Sequence, residues 1–376
     1  MIDTDKRAWA EVSEGALREN FFAMRAKLPT GCKFMGLVKA DAYGHGLVPV
    51  AKLLEEFGAD YLAVACLDEA ESLRMGGIKL PILILGYTPA QYILRVAKAG
   101  ATQTVGSLLA AEEYSKVMAD SGKTLKVHFK LETGMGRTGF DVKQGDISSL
   151  CKAMGLPGLE AEGVFTHFAV SDETEGGEYT RRQFDCFMQA VEKAEKETGL
   201  LFTIKHCANS GAFMNYPETY LNMVRPGIAL FGTYPDSGKS GLKLAPVLSL
   251  RCRIADVHSI EAGDCVGYGC TFKSEKAGKV AVLPIGYGDG LHRVLSGKLE
   301  VLINGVRCRQ IGRICMDMCM VDVTELPAVK VGDVATIIGE DGENTISANE
   351  LAEKAGTISY EIFCGFTGRI PRLYVK

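Results

Sequence analysis

Between residues 34 and 226 short apolar runs alternate with stretches whose apolar residues recur at helical spacing. The apolar runs fall at 34–38, 61–65, 81–85, 101–105, 126–131, 160–165, 202–205 and 222–226; helical patterns occupy 48–57, 67–75, 91–98, 107–119, 142–154, 180–197 and, briefly, 210–215. In 180–197, Phe184, Phe187, Val191 and Ala194 share one face, and Glu192, Lys193 and Glu195 lie off it, which is the signature of a helix burying one stripe. Eight strands of this kind in roughly 200 residues favour a (β/α)8 TIM-type barrel. A doubly wound open sheet competes, but it needs a glycine-rich first turn opening a helix, and Gly44-His45-Gly46 fits that poorly.

After a polar, glycine-bearing segment at 234–241 the texture changes to short strands with tight turns, expected at 246–259, 279–284, 299–303, 306–311, 318–323 and 333–338. Asn304-Gly305 between apolar runs predicts a type I′ hairpin, because both residues tolerate positive φ. At 376 residues the chain exceeds what one core usually supports. The expected division is α/β plus β: a barrel over 12–240 and a mainly β domain over 241–376.

Charge excludes some partners. The 46 acidic and 42 basic residues, net −4, are interspersed, so neither a nucleic acid nor an anionic membrane is expected. The N-terminus carries charges where a secretory signal needs an apolar core, and no uncharged run reaches the ~18 residues of a membrane span. A cytoplasmic protein acting on a small molecule is the expectation. The 12 cysteines show no metal-ligand spacing, so no metal is expected and buried thiols are the default.

One residue breaks the apolar pattern. Phe34, Met35, Leu37 and Val38 read as a buried parallel strand, and Lys39 ends it. A lysine there sits where barrels place their chemistry, and desolvation lowers its pKa toward a usable nucleophile or base. Barrels also bind phosphate through the loops after strands seven and eight, here His206-Cys-Ala-Asn209-Ser210-Gly211 and Arg225-Pro-Gly227-Ile228. Ser210 offers a hydroxyl, and the glycines permit close backbone approach. Taken singly, each feature also has a plain structural reading: a surface lysine, a helix cap, a salt-bridged arginine.

The run Val38-Lys39-Ala40-Asp41-Ala42-Tyr43-Gly44-His45-Gly46 resembles, without a gap, the cofactor-lysine motif of alanine racemases, and the resemblance extends over the whole chain. It implies pyridoxal 5'-phosphate (PLP) as cofactor, interconversion of L- and D-alanine for cell-wall peptidoglycan by a two-base mechanism, and a first strand at 1–11 that joins the C-terminal domain. By residue, it implies that Lys39 holds the cofactor and serves one face of the substrate, and that Tyr43, Asn209, Ser210, Gly227, Ile228 and Tyr360 bind PLP around its phosphate. It further implies that Arg225 meets the pyridine nitrogen and His167 stacks on the ring. Arginine there matters, because its pKa above ~12 stops it from protonating that nitrogen. Tyr268 is implied as the second base, reaching in from the partner of a homodimer with shared sites. Arg137 and the backbone of Met316 are implied to meet the substrate carboxylate. Lys130 is carbamylated in many relatives and replaced in role by an anion in others, and Tyr287 narrows the entrance together with Tyr360.

The chain departs from the family in having Asp317-Met318 where Asp-Gln is frequent. Three other readings are separable: a serine or broad-specificity racemase on the same scaffold, a decarboxylase, which would meet the ring nitrogen with an acid and not Arg225, and a non-catalytic PLP carrier, which would lack the β domain.

Overall fold

The computed structural model describes residues 5–173, 175–235 and 241–376, so most of the polar segment at 234–241, and residues 1–4 of the expected first strand, lie outside the described residues. From the N-terminus the strands are β1 (Ala8–Ser13), β2 (Lys33–Leu37), β3 (Tyr61–Val64), β4 (Ile82–Ile84), β5 (Ala101–Val105), β6 (Leu125–Glu132), β7 (Phe140–Asp141), β8 (Leu159–Phe165), β9 (Ile204–His206) and β10 (Met223–Val224). Eight of them form one parallel sheet in the order β5-β4-β3-β2-β10-β9-β8-β6, and the β5–β6 pairing closes it into a barrel. Register runs from Met35 opposite Tyr61 through Leu62 opposite Ile82 to Gln103 opposite Val127. β7 is a stub beside β6, not a stave.

The helices follow from local chemistry. Ser13 caps Glu14–Arg25, its Oγ accepting from the Ala16 N–H at 3.1 Å, and that helix buries Leu17, Phe21 and Met24. The stretch expected as helix from 142 begins only at Ser148, since Gly145 takes φ +75° and Asp146 Oδ1 accepts from the Ser148 N–H, making a turn that restarts the chain.

β1 does not join the barrel. It pairs antiparallel with Leu248–Arg253, with Trp9 opposite Arg251, and parallel with Arg372–Val375, inside a ten-stranded second sheet. The expected hairpin is present, with Asn304 and Gly305 at φ +51° and +78° and Ile303 opposite Val306. The single strand expected over 246–259 is two, Leu248–Arg253 and Asp256–Ile260, because each half pairs with different partners and the chain bends between them. Two helices were not anticipated: Ala348–Ala355, capped by Ser347, and Ser359–Cys364. The second of these carries Tyr360 to the barrel, where its ring lies 5.9 Å from that of Tyr43.

The glycine-rich stretch after Lys39 is not an irregular loop. Ala40, Asp41, Ala42 and Tyr43 all have φ between +51° and +54°, a left-handed turn built from residues with side chains. Each such residue costs about 1–2 kcal/mol against the right-handed form, so the turn must be held from outside. The carboxylate of Glu69 accepts from the Ala40 and Ala65 N–H groups at 2.6 and 2.7 Å, Asp41 Oδ1 from Leu47 N–H, and Arg372 donates to the Gly44 carbonyl. His45 hydrogen-bonds the Tyr43 carbonyl at 2.9 Å and stacks on Phe231.

Because Ala40 is exposed and already left-handed, Ala40→Gly should leave stability unchanged or raise it by up to about 1 kcal/mol, whereas the same exchange inside an ordinary helix costs about that much. Thermal or urea denaturation checks this, and a clear loss would mean that the turn is not strained as described.

Candidate active site

Lys39 leaves the end of β2 into a cavity of about 310 Å³ at the C-terminal mouth of the barrel. Lys130 from β6, Arg137 from the loop beyond it and Arg225 from the end of β10 line the same cavity, together with His167. Among the described residues no carboxylate lines it. Burial, with Arg137 and Arg225 nearby, holds the Lys39 ammonium below the usual lysine range, although Cys364 and Glu69 partly oppose this. Lys130, which donates to Thr138 Oγ1 at 2.7 Å, is pushed down to about 8 by burial and by the same two arginines. Burial and Arg225 keep His167 neutral, well below the ordinary histidine range.

Arg225 is fixed from below. Its Nη1 donates to His206 Nδ1 at 2.7 Å, and its Nη2 to the Thr166 carbonyl at 2.8 Å. An arginine is only a donor, so His206 must carry its proton on Nε2 and donate to His128 Nδ1, 2.9 Å away; His128 Nε2 then donates to Glu162 Oε2 at 3.2 Å. These side chains come from β9, β6 and β8, and Tyr61 of β3 also donates to Glu162, so the chain of bonds crosses the barrel interior. Burial holds both imidazoles below their usual range. At the far end burial alone would raise the Glu162 carboxyl, but hydrogen bonds from His128, Lys126 and Tyr61 outweigh it and bring it to about 2. The buried guanidinium, lowered by desolvation to about 10, remains a cation at neutral pH and finds its anion three residues away.

A second group of residues meets beside this one. Ser210 Oγ accepts from the Gly227 N–H at 2.8 Å, and a Cβ on Gly227 would come within 2.6 Å of the Tyr43 hydroxyl. Asn209 caps the Ser210–Asn215 turn through Ala212, and Ile228 follows Gly227 in the buried turn. Tyr43 is nearly fully buried, which raises its hydroxyl above the usual phenol range. Tyr43, Ser210 and Gly227 therefore converge, with the Tyr360 ring next to Tyr43.

These features fit PLP. An aldehyde is met best by an amine that holds its proton loosely, a phosphate by hydroxyls and close backbone approach, and a ring nitrogen by a fixed donor. A cationic cavity without an acid, a hydroxyl-and-glycine corner and a pinned guanidinium supply the three.

Of the residues expected from the β domain, Tyr360 alone joins this corner; Tyr268, Met316 and Tyr287 lie elsewhere in this chain. Tyr268, 70 % exposed, and Met316, 53 % exposed, line a separate cavity of about 530 Å³. Tyr287 is half-exposed at the head of a turn anchored by buried Asp289, which accepts from the Gly286 N–H and pairs with Arg7 and Arg369. Gly288 N–H donates to the Met316 carbonyl at 2.8 Å, so Tyr287 and Met316 are held in register. Glu162, His128 and His206 were missed by sequence reasoning. The one trace they leave in the sequence, polar residues inside apolar strands, does not tell a packing side chain from one that relays a hydrogen bond.

Sequence comparison matches residues 12–235 to the alanine racemase N-terminal domain and 247–374 to the alanine racemase C-terminal domain. The chain is 43 % identical to an alanine racemase of Methanococcus maripaludis, covering 98 % of each chain, and 43 % identical to one of Clostridium perfringens, covering 98 % and 95 %. Among solved structures, an alanine racemase of Clostridium difficile superposes with a TM-score of 0.93 at 38 % identity over 99 % and 97 % of the two chains. The alanine racemase of Bacillus anthracis with bound L-Ala-P gives 0.92 at 37 % identity over 100 % and 96 %.

Glu162→Gln keeps an acceptor for His128 but removes the charge that compensates Arg225 and Lys126, so stability should fall by about 1–3 kcal/mol. The folded carboxyl lies below its unfolded value, so its contribution is full above roughly pH 4.3 and disappears as the pH falls toward about 2. Denaturation curves from pH 7 to 2.5 should therefore converge for wild type and variant; a gap that persists at acid pH would refute the assignment.

Proposed function

The chain belongs to the alanine racemase family, and from that premise we propose how its own residues divide the work of interconverting L- and D-alanine. The protein is a PLP-dependent racemase, and the best support for the division is the cavity walled by Lys39, Lys130, Arg137 and Arg225 with no acid among its lining.

Lys39 would hold the aldehyde carbon of PLP, while Tyr43, Asn209, Ser210, Gly227, Ile228 and Tyr360 hold the phosphate. When bound, PLP stabilises the negative charge that develops at the substrate α-carbon. Arg225 donates to the ring nitrogen and, as a cation bound on its other side to a neutral histidine, gives it no proton; this limits the lifetime of that charge and disfavours side reactions. His167, uncharged, covers one face of the ring. Arg137, poised at the rim, pairs with the substrate carboxylate together with the backbone at Met316. Lys130 orients Arg137, either as its carbamate or beside a bound anion.

Inversion requires removing a proton from one face of the α-carbon and delivering another to the opposite face. Lys39, displaced by substrate, works one face, its lowered pKa leaving it able to accept a proton. Tyr268 works the other. Within one protomer Tyr268 does not line the Lys39 cavity, which supports a homodimer in which each barrel is completed by its partner's β domain. We place the domain division at 12–240 and 241–376 with 1–11, the β domain supplying Tyr268, Met316 and Tyr287. Among the described residues no helix is long and apolar enough to cross a membrane; action in the cytoplasm and supply of D-alanine to peptidoglycan are part of this reading.

Three measurements test it. Circular dichroism of L-alanine and L-serine incubated with PLP-loaded protein should show loss of rotation much faster for alanine; equal rates would establish a broad racemase, and no loss a carrier. Lys39→Ala and Tyr268→Phe should each be inactive alone, yet a refolded mixture should regain about a quarter of wild-type activity, because half the dimers are hybrids with one intact site. No recovery would remove the shared-site arrangement. The equilibrium constant between enantiomers is one, so Tyr268→Phe must lose kcat/KM equally in both directions, but α-hydrogen exchange with deuterated water should survive for one enantiomer only.

A further inference from the structure

The segment around Tyr268 reads Asp264-Cys265-Val266-Gly267-Tyr268-Gly269-Cys270-Thr271-Phe272, with a cysteine on each side of the phenol. Cys265–Val266 and Phe272–Lys273 form a small antiparallel ladder, Cys265 opposite Lys273, and the intervening turn doubles back through Gly267 and Gly269 at φ +73° and Cys270 at φ +45°. A residue with a side chain is seldom left-handed, and here that conformation belongs to a turn closed by the ladder, with Cys265 and Cys270 on either side of Tyr268 and Cys270 the neighbour that does most to raise the Cys265 thiol above its usual range. Both are exposed. Cys252 and Cys319 also neighbour one another, but they are buried in the second sheet.

We propose that Cys265 and Cys270 are an oxidisable pair whose disulfide closes a ring around Tyr268 and so controls how that tyrosine is presented to the active site. The oxidant class is a peroxide, smaller than the amino acid that the site admits. One thiolate attacks hydrogen peroxide and becomes a sulfenic acid with release of hydroxide. The second thiolate then displaces hydroxide from that sulfur as the S–S bond forms, and with the two thiol protons the sum is one disulfide and two waters. Because Cys265 gives up its proton late, closure runs faster as the pH rises.

The consequence for catalysis follows from the ring. In the reduced protein two flanking glycines leave the phenol adjustable. A bridge between positions 265 and 270 removes that freedom and shifts Tyr268, while Lys39 and the cofactor corner, carried by the barrel, are untouched. The catalytic part of this inference rests on Tyr268 being the second base; the chemical part does not.

The test treats PLP-loaded protein with hydrogen peroxide. Trypsin releases residues 254–273 as one peptide holding both cysteines and no internal cleavage site, so the disulfide appears as that peptide lightened by its two thiol hydrogens. Racemisation should fall roughly tenfold to a hundredfold, the scale of an ångström-level misplacement, with bound-cofactor absorbance unchanged and activity restored by dithiothreitol. C265S and C270S should keep basal activity and resist the same dose. The proposal is overturned if the peptide keeps both hydrogens, if the disulfide forms without a change in rate, or if C265S loses activity as wild type does. Should Tyr268→Phe prove active, the base assignment falls, and the peptide mass still decides the bridge.

Discussion

Four cationic side chains, Lys39, Lys130, Arg137 and Arg225, share a cavity of about 310 Å³ whose walls, among the described residues, hold no carboxylate. Two like charges about 7 Å apart repel by about 2 kcal/mol even at an effective dielectric of about 20, so the cluster is a standing cost that the remaining structure has to contain. It is contained in three ways. Burial and mutual repulsion lower Lys39 and Lys130, so both hold their protons less tightly than ordinary lysines. Arg225, which stays charged, is tied through two imidazoles to the Glu162 carboxylate. The remaining excess of positive charge suits an anionic group such as a carboxylate.

The bond chain under Arg225 also explains why the barrel interior is polar. Interiors of such barrels are usually packed with branched apolar residues, yet here Tyr61, Thr102, His128, Glu162 and His206 meet inside. The donor-only nature of the guanidinium settles both histidine tautomers in turn. The left-handed turn after Lys39 has a similar character. It is locally unfavourable, and it persists because Glu69, Asp41, His45 and Arg372 hold its backbone from several elements at once. Its product is a lysine and a tyrosine four positions apart, the first facing the cationic cavity and the second the Ser210–Gly227 corner.

Legibility in the sequence followed the range of the forces involved. The eight staves could be read because parallel strands buried on both faces are continuous apolar runs, and the Asn304-Gly305 hairpin because its turn chemistry is local. The strand expected over 246–259 divided, and the helix expected from 142 began late, because pairing partners and a single Gly145 decided those boundaries. Lys39, Ser210 and Arg225 were visible as polar residues at strand ends. Glu162, His128 and His206 were not, since a histidine in an apolar run looks the same whether it is packing or relaying a hydrogen bond.

The sequence alone therefore determined the barrel and the β-rich second half, and it put forward the groups proposed to do chemistry, because these depend on periodicity, turn residues and contiguous motifs. Only the tertiary structure decided how burial shifts Lys39, Lys130 and His167, that Ala40–Tyr43 turn left-handed, and that Tyr268 lies outside the cavity of its own Lys39. Desolvation, hydrogen-bond direction and the distance between domains arise from residues far apart in the chain, and no local pattern encodes them.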